Sequence, residues 1–221
     1  MHFEILIEDE SGRIALKPLL EKILGPYGSP HTWTMHSYKG IGKLPADLAE
    51  KSDPRKRILL ANLPRLLRGY GRTYSNTPGV CVIVIVDLDD KNCKTFKREL
   101  MDLLKQCQPQ PRTLFRIAIE ETEAWLMGDK AAVLRAYPRV RKPILYSYVQ
   151  DSICNTWETL ADAVHPGGAS ALKKLGWPHS AIAKYRWAER IAPLIDVEKN
   201  ESKSFQVFRD GLRRLAGILA P

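Results

Sequence analysis

The residues of this chain best suited to chemistry are carboxylates. Asp87-Leu88-Asp89 sets two acids one residue apart and runs straight into Asp90. Glu8 opens a second group with Asp9 and Glu10, and Glu120, Glu121 and Glu123 form a third. Carboxylates are hard oxygen donors that suit Mg²⁺, an ion that keeps several waters and often bridges to phosphate oxygens. One or two such ions polarise a phosphodiester, activate a water and steady the leaving oxygen. Acids packed together without a cation repel, and their pKa values rise. The same residues have a structural use. Asp and Glu are favoured at helix N-termini, where they cap free N–H groups and meet the positive end of the dipole.

Each acidic group follows a predicted strand and precedes a predicted helix. The β-branched run Val80 to Val86 reads as a central strand buried on both faces. Phe3 to Ile7 is a second strand, followed by a helix lined by Ile14, Leu16, Leu19, Leu20, Ile23 and Leu24 that stops at Gly25-Pro26. Leu114 to Ile119 is a third. If the three are parallel neighbours, their acidic ends share one sheet edge, where α/β sheets bind ligands. The expected fold is therefore α/β, a mostly parallel sheet flanked by helices. Residues 1–138 form its core, and residues 139–221 a mostly helical extension packed on it.

Between these elements, His31 to Tyr38 reads as a short strand, with Trp33 and Met35 on one face. Lys39-Gly40-Ile41-Gly42-Lys43 lacks the spacing of a phosphate-binding loop and is expected only to join two elements. Pro54 to Arg68 reads as a helix that Pro64 should kink or restart, with Arg55, Lys56, Arg57, Arg65 and Arg68 on its outer face. Asp90 is expected to cap the helix that buries Phe96, Leu100, Leu103 and Leu104, and Asp129 the helix ending near Tyr137. Trp125 and Leu126 are expected in the core. Ile144 to Val149 reads as a short strand, and His165 to Gly168 as a loop. Thr156 to Val164, Ser180 to Ile191 and Ser204 to Leu219 read as helices.

Totals narrow the class. Among 221 residues the formal net charge is +9 and the isoelectric point about 9.4, which makes a polyanion a plausible partner. No apolar run approaches the roughly 20 residues of a membrane span. Met1-His2-Phe3-Glu4 has no basic region ahead of an apolar core, so a cytoplasmic protein without a signal peptide is expected. Cys81, Cys93, Cys107 and Cys154 show neither metal-ligand spacing nor a secreted framework, and Cys81 is expected to pack in the core.

A strand ending in Glu, then a strand ending in Asp-x-Asp, on an α/β core resembles the Toprim domain of topoisomerases, primases and overcoming-lysogenization-defect (OLD) nucleases. More closely, the chain resembles a Toprim-like family of bacterial proteins, kin of RloB, often encoded beside an AAA/ABC-type ATPase. The matching words are Leu6-Ile7-Glu8-Asp9-Glu10-Ser11, Val86-Asp87-Leu88-Asp89-Asp90, Arg116 to Trp125 and Asn200-Glu201-Ser202-Lys203-Ser204-Phe205. The resemblance implies that Glu8 is a general acid/base and metal ligand. It makes Asp87 and Asp89 the pair that binds Mg²⁺ or Mn²⁺, with Glu120 or Glu123 in support. Many Toprim proteins have Gly after the first glutamate, where this chain has Asp9. Lys184 is a candidate positive group for the transition state, its other use being a solvated helix lysine.

The function expected on these grounds is a metal-dependent nuclease acting on DNA or RNA. It would be the effector of a bacterial antiphage system, working with the ATPase and able to form a homo-oligomer. The alternative keeps the fold without the chemistry, as a nucleic-acid-binding or regulatory subunit. A haloacid-dehalogenase phosphatase fits less well, because its Asp-x-Asp wants Thr or Val where Lys91 stands and closes the first strand of the domain. A receiver domain is shorter and carries Met-Pro after its phosphorylated Asp.

Overall fold

Strands β1 (His2–Ile7), β2 (Thr32–Ser37), β3 (Val80–Asp87) and β4 (Thr113–Ala118) form one all-parallel sheet in the order β2-β1-β3-β4. The computed structural model in which this sheet is seen describes residues 1–40, 42–45, 53–152 and 155–218. Ile41, Cys154 and the expected helix end at Leu219 lie outside the described residues. Ten α-helices occur among the described residues: α1 (Glu10–Leu24), α2 (Leu59–Tyr74), α3 (Cys93–Lys105), α4 (Glu123–Met127), α5 (Lys130–Ala136), α6 (Lys142–Ser147), α7 (Thr156–Val164), α8 (Gly168–Leu175), α9 (Trp177–Ile191) and α10 (Lys203–Ala216). None is long and apolar enough to cross a membrane.

The chain divides into two compact units. The first comprises residues 1–10 and 26–117 and holds the sheet, α2 and α3; the second comprises residues 11–25 and 118–221 and holds the body of α1 with α4 to α10. Pro138 lies inside the second unit.

In the first unit β1 and β3 are the inner strands and are buried almost throughout, as continuous apolar runs require. Their register pairs Phe3 with Cys81 and Ile7 with Ile85. Cys81 is core, and burial pushes its thiol up to about 11. One buried acid interrupts β1. Glu4 is satisfied by His2 at 3.3 Å and His36 at 2.9 Å, and by the hydroxyls of Tyr74 at 3.1 Å and Tyr70 at 3.5 Å. Burial raises its pKa, but the hydrogen bonds from His36, Tyr74 and His2 outweigh that, and the net shift is downward. A carboxylate of this kind adds stability above its unfolded value that disappears as pH falls through the folded one. Glu4→Gln is therefore expected to cost about 1–3 kcal/mol near neutrality. Acidification from pH 7 should hurt the variant less than the wild type, which urea melts along a pH series will show.

Two sequence expectations are corrected here. The helix expected over Pro54 to Arg68 starts only at Leu59, after a short 3-10 turn, Pro54–Lys56, and runs on to Tyr74 through Pro64. Arg57 has φ of 52°, a left-handed conformation that breaks helical continuity between the two. Secondly, Asp90 is not the cap of α3. Asn92 is, its side chain accepting from Thr95 N–H at 3.1 Å.

In the second unit, Ile144 to Val149 is not a strand but overlaps α6. Short apolar runs do not separate the two states by period, and Pro143 in the first turn presets helical φ. The His165 to Gly168 loop opens directly into α8, which the sequence did not announce. Asp129 caps α5 as expected, accepting from Ala132 N–H at 3.0 Å. Trp125 and Leu126 are core. Trp125 stacks on Phe208 at 4.9 Å and meets Phe205 edge-on at 5.7 Å.

Candidate functional site

The strand order puts the topological switch point between β1 and β3, since the chain leaves β1 toward β2 on one side and β3 lies on the other. Ligands of open α/β sheets bind outside the carboxyl ends of the strands at that point. Glu8 follows β1 there, and Asp87 ends β3 beside it. Glu8 is only 3% exposed. Its Oε2 accepts the Asp87 backbone N–H at 2.7 Å, while its buried Oε1 has no hydrogen-bond partner. Burial is the main reason that the Glu8 carboxyl is pushed up to about 8. The Asp87 N–H opposes this, the charges of Asp89 and Asp9 add to it, and Lys91 relieves it. Repulsion among acids is thus secondary to desolvation.

Beyond Asp87 the chain buries Leu88 and turns at Asp89, whose φ of 51° is tolerated best by Asn and Asp among residues with a side chain. Asp89 is exposed and pairs with Lys91 at 3.2 Å, and the Lys91 ammonium lies 4.8 Å from the Phe96 ring centre. Gly40 runs alongside: a Cβ built on it would lie 3.8 Å from Glu8 Cβ. Gly40, from the glycine-rich stretch, thus borders Glu8. The sequence marked Gly40 only as part of a glycine-rich turn and Lys91 only as a departure from a phosphatase motif, because nothing local marks proximity to a residue some 30 or 80 positions away.

The third acidic group belongs to the second unit and is organised differently. Glu120, with φ of 60°, directs its carboxylate at the start of α7, accepting Asn155 N–H at 2.7 Å, Thr156 N–H at 3.0 Å and the Thr156 hydroxyl. It serves a helix N-terminus, though one 36 residues away. Glu121 accepts Trp157 N–H at 2.6 Å and a hydrogen bond from Lys184, which also reaches Glu123 at 3.3 Å. Burial first, and then the Glu123 charge, push the Glu121 carboxyl up to about 8 against the pull of Lys184. Glu123 is almost fully buried and takes a 3.5 Å contact from Ser11 Oγ. Lys184 is thus the shared cation of the buried Glu123 and the partly buried Glu121. Asp151 and Asn200 are further organising residues. Asp151 accepts from Ser204 N–H at 2.6 Å and from the hydroxyls of Ser202 and Ser204 at 2.8 and 3.0 Å. Fully buried Asn200 donates to the Trp125 carbonyl at 2.8 Å. The words around Trp125 and Asn200 are therefore packed together.

The Glu8, Asp87 and Asp89 donors fit Mg²⁺ in kind, as hard oxygens of which Glu8 Oε1 is buried and unsatisfied. Among the described residues no three His, Cys, Asp or Glu side chains stand close enough to hold an ion by themselves.

A family model described as Domain of unknown function (DUF4276) matches residues 7–213. The chain belongs to this family. No curated protein and no solved structure matches it. The DUF4276 match runs from Ile7, beside Glu8, to Arg213 in α10, so both acidic constellations lie within the family's span.

Proposed function

We propose that this DUF4276 chain is a Toprim-type nuclease that uses Mg²⁺ or Mn²⁺ to hydrolyse phosphodiesters of DNA or RNA. It acts as the cytoplasmic effector of a bacterial antiphage system with an AAA/ABC-type ATPase. The defence setting and the ATPase rest on the family resemblance in sequence. The chemistry rests on one observation: Glu8 and Asp87 adjoin at the β1/β3 switch point, with Glu8 Oε2 fixed by the Asp87 N–H and Oε1 unsatisfied.

Because Oε2 accepts that N–H, a proton on Glu8 resides on Oε1. With its carboxyl pushed up to about 8 when no cation is bound, Glu8 suits general acid/base work near neutral pH, while ligation of an ion through Oε1 would displace that proton. Asp87 and Asp89, with Glu8, would hold the divalent ion, which supplies Lewis-acid stabilisation of the phosphoryl oxygens. Lys91, at Asp89, offers positive charge to the substrate phosphate, the role considered for Lys184. The second reading, a binding subunit without chemistry, draws on the absence of a preformed three-ligand cluster among the described residues.

Calorimetry with Mn²⁺ on purified protein, followed by incubation with plasmid and tRNA, separates the two. We expect one Mn²⁺ site that Asp87→Ala removes, and cleavage that falls at least 100-fold in the same variant. Equal Mn²⁺ heats, or equal cleavage, in wild type and Asp87→Ala would overturn the nuclease reading.

A further inference from the structure

The helical hairpin formed by α8 and α9 carries an unusual surface. Its turn is the single residue Gly176, with φ of 88°, and next to it Trp177 is 77% exposed. An indole so uncovered offers a partner a large flat apolar face with a polar edge. Tyr185, 39% exposed, follows eight residues later on α9, about 12 Å along the helix axis at 1.5 Å per residue. Exposed Lys174 precedes Trp177 by three residues and exposed Arg186 directly follows Tyr185, and Glu189 is the one acid between Lys173 and Arg190. Aromatic faces interleaved with cations are what single-stranded nucleic acid requires, since bases stack on the rings and phosphates meet the charges. A second copy of this chain would bring like charge to the same face and be repelled.

We propose that the α8–α9 tip is a stacking platform for single-stranded nucleic acid, with Trp177 and Tyr185 receiving bases and Lys174 and Arg186 the backbone. The platform rests on the nucleic-acid part of the function proposed above and on none of its metal chemistry. Base stacking tolerates any sequence, because every base has a π-face. The platform therefore selects strand state, not sequence.

The test is fluorescence titration of the full chain with oligothymidylate in EDTA across a salt series. Binding is expected to quench indole emission. Trp177→Ala should weaken affinity about tenfold or more, while Trp177→Phe stays within about threefold of wild type. Lys174→Ala should lower the salt slope by about 0.7. Unchanged affinity in Trp177→Ala, with circular dichroism showing a folded protein, overturns the proposal. So does a duplex bound as tightly and with the same Trp177 dependence. A Trp177→Ala effect confined to oligomer mass, or to anionic-vesicle binding, overturns it as well. Trp177-dependent binding without Mn²⁺-dependent cleavage would sink the nuclease and leave the platform standing.

Discussion

Glu8→Gln is expected to abolish metal-dependent cleavage and, in EDTA, to remove a pH-dependent loss of stability. Below pH 4.5 the Glu8 carboxyl is protonated in the folded and unfolded chains alike. Between 4.5 and about 8 the unfolded chain releases the proton while the folded chain keeps it, so the wild type loses stability as pH rises. At ~1.4 kcal/mol per unit, the full difference is on the order of 5 kcal/mol. An amide cannot titrate, yet its oxygen can still accept the Asp87 N–H, so the variant should lose stability less steeply across that window, Glu121 still titrating in both proteins. Denaturant melts from pH 4 to pH 9 check the stability half. Cleavage assays check the other, with a fall of roughly 100-fold or more. Parallel profiles for the two proteins would mean that Glu8 is not the buried acid described.

The second large effect concerns Lys184. One ammonium serves Glu121 and Glu123, both withdrawn from solvent, and Trp157 lies 5.9 Å from it as a cation–π partner. Removing one partner of a buried ionic group leaves the rest uncompensated, typically at 3–5 kcal/mol. Lys184 is still partly exposed, and the acids can protonate in response, so Lys184→Met is expected to cost about 2–4 kcal/mol. The loss should deepen as pH rises and both acids seek to ionise. Adding Glu123→Leu to Lys184→Met should return much of it, with a coupling energy of about 1–3 kcal/mol in the double-mutant cycle. Lys184→Met with unchanged melting but impaired cleavage would instead assign Lys184 to the chemistry.

Legibility in the sequence followed the range of the forces involved. The inner strands were readable because β3 is an unbroken apolar run up to Asp87 and β1 is apolar from Phe3 to Ile7 but for Glu4, and burial on both faces demands that. Caps and turns were read less well. Asp90 and Asn92 are both capping residue types two positions apart, and the path of the chain after Asp89 decided for Asn92. The Ile144 segment misled because six residues satisfy either period.

By itself, the sequence determined the α/β class, the three acidic strand ends and the apolar faces, which are local matters of residue type and spacing. Only the tertiary structure decided what each acid touches. It set Glu8 beside Asp87 at the switch point, turned Glu120 toward a helix start 36 residues on, and gave Glu121 and Glu123 a single lysine to share. Hydrogen bonds and charges act over a few ångströms of space, and distance along the chain does not encode that space.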